Sequence, residues 1–130
     1  MPNQIVVAGA LIAGAALLVA QRDRPPDLAG LWELPGGKVA PGESDADGLA
    51  RELHEELGVE VTVGERLGDD VALSQTMTLR AYRVTQTGGT LRRNDHRALR
   101  WVKADELAGL PWVPADRAWL GALTLALRGG

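Results

Sequence analysis

The sequence predicts one α+β domain, and we expect this domain to occupy residues 1–130. Three features carry the prediction: a pair of apolar strands at the N-terminus, an amphipathic helix near the middle, and further strands followed by a last helix. Strands and helices that occur in separate runs favour α+β layering. The 130-residue length and the hydrophobic content of 45% suit one domain with one core.

An apolar run at residues 5–20 predicts two buried strands, at residues 5–12 and 15–21, joined by a tight turn. The run is short for a membrane span, and no basic residue precedes it as in a signal peptide. A proline-rich loop at residues 22–30 follows. We then expect a short strand at residues 31–34, which Pro35-Gly36-Gly37 breaks.

The central helix is predicted to begin near Ser44, which forms a variant of the capping box with Asp47. Gly58 is a natural C-terminal stop. Between them, apolar residues recur at a spacing of four and form a buried stripe: Leu49, Leu53 and Leu57.

The second half of the chain predicts strands at residues 59–63, 71–73, 77–85 and 99–102, with a turn at Thr87-Gly88-Gly89 before the last strand. A short helix is expected at residues 104–110. A C-terminal helix at residues 114–127 begins with proline and places its large apolar residues on one side: Trp119, Leu120, Leu123 and Leu127.

Composition excludes several kinds of site. The formal net charge of −3 indicates no polybasic surface for polymeric nucleic acid, and no membrane contact is expected. The absence of cysteine excludes disulfides, thiolate metal sites and cysteine nucleophiles, and it fits a cytoplasmic protein. Free nucleotides remain possible partners because a metal ion neutralises their phosphates locally.

One face of the central helix is strongly acidic. Glu52, Glu55 and Glu56 lie three and four residues apart, so their side chains share that face. Crowded like charges repel, and a chain tolerates this most readily where a cation binds. Oxygen ligands favour Mg²⁺ or Mn²⁺. The pattern therefore indicates metal-assisted chemistry on a phosphate.

Residues 37–59 match the pattern G-x5-E-x7-R-E-U-x-E-E-x-G-U, where U is aliphatic, at every specified position. The segment resembles the Nudix box, and the whole chain resembles the MutT-type, CTP-pyrophosphohydrolase-like branch of the Nudix hydrolases. The resemblance implies a Nudix fold, an α/β/α sandwich around a mixed β-sheet. The specified positions are Gly37, Glu43, Arg51, Glu52, Leu53, Glu55, Glu56, Gly58 and Val59.

The resemblance also implies roles around a Mg²⁺ ion, for which Mn²⁺ substitutes. The metal ligands would be Glu52, Glu55, Glu56 and the backbone carbonyl of Gly36. Glu52 alternatively acts on the nucleophilic water, a point on which family members differ. Asp95 would join the metal or the water. Arg51 would pair with Glu55, four residues away, or with Glu43 across the loop.

Four residues outside the box are expected to bind the substrate. Arg22 matches an arginine that contacts phosphates, and Leu34 stands where some relatives hold the base with an aromatic residue. Asp116 occupies a base-reading position; an ionised carboxylate there accepts hydrogen bonds from cytosine or from guanine and 8-oxoguanine. Trp112 either stacks on the base or belongs to the core. His96 is interpreted as a loop residue.

The resemblance favours a monomeric pyrophosphohydrolase that converts a nucleoside triphosphate to the monophosphate and pyrophosphate. The substrates would be 8-oxo-dGTP, cytosine nucleotides (dCTP, CTP, 5-methyl-dCTP), or both, which sanitises the nucleotide pool. One alternative is a Nudix hydrolase of another nucleoside diphosphate derivative such as ADP-ribose. Another is a non-catalytic Nudix-fold sensor module, against which the complete set of box carboxylates argues.

Overall fold

The computed structural model describes residues 3–129, so the predicted domain limits at residues 1 and 130 lie outside the described residues. The strands are β1 (Gln4–Ala13), β2 (Ala16–Gln21), β3 (Trp32–Glu33), β4 (Gly36–Lys38), β5 (Val59–Ser74), β6 (Met77–Gly89) and β7 (Ala98–Val102). The α-helices are α1 (Asp45–Leu57) and α2 (Leu120–Leu127). Two 3₁₀ helices lie at Ala104–Gly109 and Pro114–Trp119.

The sheet is mixed, as expected. Its main strand order is β3-β2-β1-β6-β5, with β4 paired to β1 and β7 paired to β2. The β1–β6 pair is parallel and the other pairs are antiparallel. β1 and β2 form the predicted N-terminal hairpin, in which Ile12 faces Leu17 across the ladder.

Helices cover both faces of the sheet, which confirms the α/β/α sandwich. Along β1, Val7 and Leu11 pack with the stripe of α1, whereas Ala8 and Ala10 pack with the C-terminal helices. This alternation follows from the two-residue period of a strand. No helix within residues 3–129 is long and apolar enough to cross a membrane.

The central helix forms as predicted because its end signals are local. The Ser44 hydroxyl accepts a hydrogen bond from the Asp47 amide at 3.0 Å, which satisfies one free N–H of the first turn. At the other end Gly58 adopts a left-handed conformation, with φ of 74°. The predicted stripe is fully buried: Leu49, Leu53 and Leu57.

Two glycine segments that were predicted to break strands lie within strands. Gly36 and Gly37 belong to β4 and pair with Ala8 and Val7 of β1. The segment at residues 87–89 continues β6, where Gly89 pairs with Val59. Pairing with a neighbouring strand overrides the weak local preference of glycine for turns.

The remaining differences concern lengths. The strands expected at residues 59–63 and 71–73 are one long strand, β5, interrupted by irregularities in its pairing with β6. The predicted C-terminal helix is divided into a 3₁₀ helix and α2. In a 3₁₀ helix residues three apart eclipse, so Asp116 and Trp119 both point inward and both are buried.

Candidate active site

A cleft of about 380 Å³ opens beside β1 and the end of α1. Its floor includes Leu34 and Gly36, and Val113 and Ala115 contribute from the C-terminal segment. Charged side chains from distant parts of the chain line its walls: Arg22, Asp23, Arg24, Glu33, Glu56, Asp95 and Asp116. A concave apolar site with a few convergent polar groups is the usual form of a small-molecule site.

Arg51 organises the acidic face of α1. Its guanidinium donates to both carboxylate oxygens of Glu43, at 2.7 and 2.9 Å, and to the Glu52 carboxylate at 2.9 Å. Glu55 lies farther away, at 3.4 Å. The hydrogen bond from Arg51 is the main cause that lowers the pKa of Glu43 to about 2, and the same partners raise the pKa of Arg51. Both predicted pairings of Arg51 are therefore present together.

Gly37 leaves the space that the Glu52 carboxylate occupies. A Cβ atom added at Gly37 would clash with the carboxylate of Glu52. The Glu52 side chain is only 17% exposed. The absence of a side chain at Gly37 thus lets the β4 backbone run directly against a carboxylate of α1.

Glu56 differs from its neighbours on α1 because the Arg51 guanidinium does not contact it. Burial raises the pKa of Glu56 to about 7, and nearby Glu52 and Glu33 add to the effect. Its Oε2 atom is buried and has no hydrogen-bond partner among residues 3–129. A buried carboxylate oxygen without a partner is costly, so this position favours a bound cation.

The donor chemistry of the site fits a divalent metal, although the side chains are not gathered into a finished cluster. No three His, Asp or Glu side chains of the described residues are close enough to hold an ion. Glu52 and Glu55 are paired with Arg51, and Asp95 is paired with Arg24 at 2.8 Å. Carboxylate oxygens and the unpartnered Oε2 of Glu56 are nevertheless the hard ligands that such an ion requires.

Glu33, at the end of β3, joins two walls of the cleft. Its Oε1 atom accepts from the Arg22 guanidinium at 3.0 Å, and its Oε2 atom lies 2.9 Å from Nε2 of His96. His96 lies in a loop, as the sequence predicted, but it is buried there, with 9% of its surface exposed. Burial lowers the pKa of His96, but the hydrogen bond to Glu33 and the nearby carboxylates together outweigh burial and raise it.

Asp116 is buried at the base of the cleft, with 4% of its surface exposed. Its Oδ2 atom accepts a hydrogen bond from the Leu34 amide at 2.7 Å. Burial raises the pKa of Asp116 to about 7 despite this bond. Leu34 itself is 3% exposed and lines the same cleft. These two predicted substrate-binding residues are therefore in direct contact.

Trp112 requires a correction. Its side chain is 1% exposed and packs in the core on the α2 side of the sheet, and its Nε1 atom donates to the Leu107 carbonyl at 2.7 Å. It does not line the cleft. An indole whose faces and N–H are both engaged in the core has no surface on which a base can stack, so the core alternative holds.

The other predicted site residues fall into two groups. The cleft brings together Arg22, Leu34, Gly36, Glu56, Asp95 and Asp116. Arg51, Glu52 and Glu55 lie on α1 beside the cleft and do not line it. Sequence reasoning assigned no role to Glu33 or Arg24. Glu33 had a visible signal, since a carboxylate between Trp32 and Leu34 is unusual in an apolar strand.

Comparisons with known proteins show the family to which the chain is similar. The family model of the NUDIX domain matches residues 2–123. The chain is 62% identical to the putative 8-oxo-dGTP diphosphatase 2 of Mycobacterium tuberculosis, covering 99% of this chain and 94% of the relative. It is 42% identical to the CTP pyrophosphohydrolase of Escherichia coli, covering 95% and 92%. The solution structure of the E. coli ORF135 protein superposes with a TM-score of 0.82 at 39% identity, covering 98% and 92%.

Proposed function

Because the chain belongs to the Nudix family and is a Nudix hydrolase, we propose that it is a nucleoside triphosphate pyrophosphohydrolase. It converts a nucleoside triphosphate and water to the monophosphate and pyrophosphate, with Mg²⁺ as the metal. Its substrates are 8-oxo-dGTP, cytosine nucleotides, or both, in keeping with the names of the two relatives. The role is removal of unwanted nucleotides from the pool.

The buried carboxylate of Asp116 is the observation that carries the base specificity. Oδ2 is engaged by the Leu34 amide, which leaves Oδ1 for the ligand. When ionised, Oδ1 accepts a hydrogen bond from an exocyclic amino group or a ring N–H. Cytosine presents the former, and guanine and 8-oxoguanine present both. A buried acceptor discriminates strongly, because a base that lacks the donor leaves it unpaired.

The residues proposed to bind the metal have the remaining roles. Glu52, Glu55 and Glu56, with Asp95 and the Gly36 carbonyl, would hold Mg²⁺, for which Mn²⁺ would substitute. When bound, the ion would supply neutralisation of phosphoryl charge and activation of a water. Among the protein groups, Arg51 holds Glu52 and Glu55 in place, and Glu52 acts either as ligand or as base toward the water.

The substrate side of the cleft positions the nucleotide. Arg22, which the Glu33 carboxylate orients at 3.0 Å, binds the phosphates. Phosphoryl transfer depends mainly on such positioning and on charge stabilisation. We further propose that the protein acts as a single domain, as a monomer and in the cytoplasm, on a small-molecule substrate without polymeric nucleic acid or membrane.

Pyrophosphate release with Mg²⁺ across a nucleotide panel tests the proposal. The panel contains 8-oxo-dGTP, dGTP, dCTP, CTP, 5-methyl-dCTP, ADP-ribose and a diadenosine polyphosphate. We expect the highest kcat/KM for 8-oxo-dGTP or for a cytosine nucleotide. Activity confined to ADP-ribose or to the dinucleotide would instead establish the alternative, a hydrolase of nucleoside diphosphate derivatives.

Asp116→Asn tests the base reading directly. The amide retains an acceptor for the Leu34 N–H and presents a donor in place of Oδ1. We expect KM for the preferred nucleotide to rise about ten- to over a hundred-fold, as for loss of a hydrogen bond to a charged group. The other nucleotides should change much less. An equal change for every nucleotide would identify Asp116 as a structural residue.

A further inference from the structure

We propose that His96 is a positioning residue for Glu56, held in orientation by Glu33. In this arrangement one bridging water joins Nδ1 of His96 to Oε2 of Glu56. The inference rests on the proposed function, in which Glu56 is a ligand of the metal. It adds a chain of three side chains, Glu33–His96–Glu56, that fixes the direction of this ligand.

The first link of the chain is a direct contact. Nε2 of His96 lies 2.9 Å from the Glu33 carboxylate, and the two side chains are 6% and 16% exposed. A carboxylate accepts, so Nε2 carries the hydrogen of this bond. The bond and the burial of the ring together fix its orientation, and they leave Nδ1 as the free ring atom.

The second link follows from two buried polar atoms that have no hydrogen-bond partner among the described residues. Between residues 3 and 129, the buried side-chain N and O atoms without a hydrogen-bond partner are Nδ1 of His96 and Oε2 of Glu56. Both side chains line the same cleft, and each influences the pKa of the other by its charge. One water satisfies both atoms, which is the usual role of a buried water: it donates to Oε2, and it donates to Nδ1 of the neutral ring or accepts from the Nδ1–H of the charged ring.

The backbone holds the two residues in a constant relation. The segment that leads to His96 is hydrogen-bonded to the last turn of α1, which carries Glu56. The Arg92 amide donates to the Leu57 carbonyl at 2.7 Å, and the Asn94 amide donates to the Glu56 carbonyl at 3.2 Å. The Asn94 side chain also donates to the carbonyl of Glu55 at 3.0 Å. His96 therefore moves with the helix turn that it is proposed to serve.

The two oxygens of a carboxylate offer about four lone-pair sites, so Glu56 can accept from the bridging water at one site of Oε2 and still ligate an ion at another. Hydrogen bonds of this kind restrict the directions in which a ligating carboxylate points. Loss of such an outer partner typically weakens metal affinity by about ten- to a hundred-fold. We therefore expect metal affinity in the nucleotide-free protein to depend on His96.

Mn²⁺ binding to the nucleotide-free full chain, followed by electron paramagnetic resonance, tests the inference. Two substitutions separate the ring nitrogens. In His96→Gln the amide replaces Nε2 and retains the contact with Glu33, but nothing replaces Nδ1. In His96→Asn the amide lies near the position of Nδ1. The matched control is His54→Gln, because His54 is on α1, two residues before Glu56, and is exposed.

We expect His96→Gln to weaken Mn²⁺ affinity about ten-fold or more, His96→Asn to retain more of it, and His54→Gln to leave it unchanged. Thermal melting shows whether each variant is folded. If His96→Gln bound Mn²⁺ with wild-type affinity, the inference would be overturned. This would hold even if KM for nucleotides rose, because His96 would then act on the nucleotide and not on Glu56. Undetectable Mn²⁺ binding to the wild type would overturn it too. The proposed function is decided separately, by pyrophosphate release.

Discussion

Asp116 is a buried carboxylate whose ionisation should destabilise the folded protein, and Asp116→Asn measures how much. Burial raises its pKa from 3.8 to about 7. The folded state therefore retains the proton at pH values where the unfolded state has lost it, and stability falls as the pH rises from about 4 to 7. Between pH 5 and pH 8 the free energy of unfolding falls over about 2 pH units, up to the pKa of the folded state. At about 1.36 kcal/mol per unit, the loss is at most about 3 kcal/mol.

Urea unfolding at pH 5 and pH 8 supplies the measurement. Asn cannot ionise, and its side-chain oxygen keeps the hydrogen bond from Leu34. We expect Asp116→Asn to gain stability relative to the wild type on going from pH 5 to pH 8, by up to about 3 kcal/mol. The exposed Asp105→Asn is the control and should follow the wild type. Glu56 titrates in both proteins, so its contribution to the pH dependence of stability cancels in the comparison. Identical pH dependence in Asp116→Asn and wild type would refute the assignment of Asp116 as a desolvated acid.

Three further changes test the acidic helix. Glu55→Gln should lower the rate of nucleotide hydrolysis under saturating Mg²⁺ by about ten-fold or more; an unchanged rate would show that the metal does not depend on this helix face. Gly37→Ala forces the Glu52 carboxylate to move and should lower kcat/KM by about ten-fold. Its control, Gly121→Ala, meets no atom within 4 Å and should keep full activity in the same assay. Arg51→Ala leaves carboxylates of α1 unneutralised and should lower Tm, with part of the loss restored by Mn²⁺; an equal Tm with and without Mn²⁺ would contradict this.

The parts of the fold that were predictable depend on local interactions. The cap at Ser44, the leucine stripe and the left-handed Gly58 are all determined within one helix, so the sequence was sufficient for α1. β4 and the end of β6 were mistaken for turns because their strand conformation comes from partners far away in the chain. Gly36 illustrates this, since its partner in β1 is Ala8.

The site was predictable to the extent that it lies in the box motif. Asp116 lies outside the box and was predicted as a base-reading residue from the resemblance, but its burial and its bond to Leu34 depend on how two segments 82 residues apart pack. No pattern in the sequence predicted the contact between Glu33 and His96, which are 63 residues apart. Trp112 was assigned to two roles because composition alone does not show which face of the sheet a tryptophan covers. Long-range packing therefore decides which polar residues are functional.

The distribution of charge on and beside α1 explains how an acidic helix folds in the metal-free protein. Repulsion among Glu43, Glu52 and Glu55 is offset by the single guanidinium of Arg51, which contacts all three. Glu56 lacks that contact, and the pKa of about 7 leaves its carboxyl partly neutral in the metal-free protein. A divalent cation would favour the ionised form of Glu56 and displace its proton. Arg51 thus holds three carboxylates in place, two on α1 and Glu43 in the loop before it, and a fourth, Glu56, would respond to the ion.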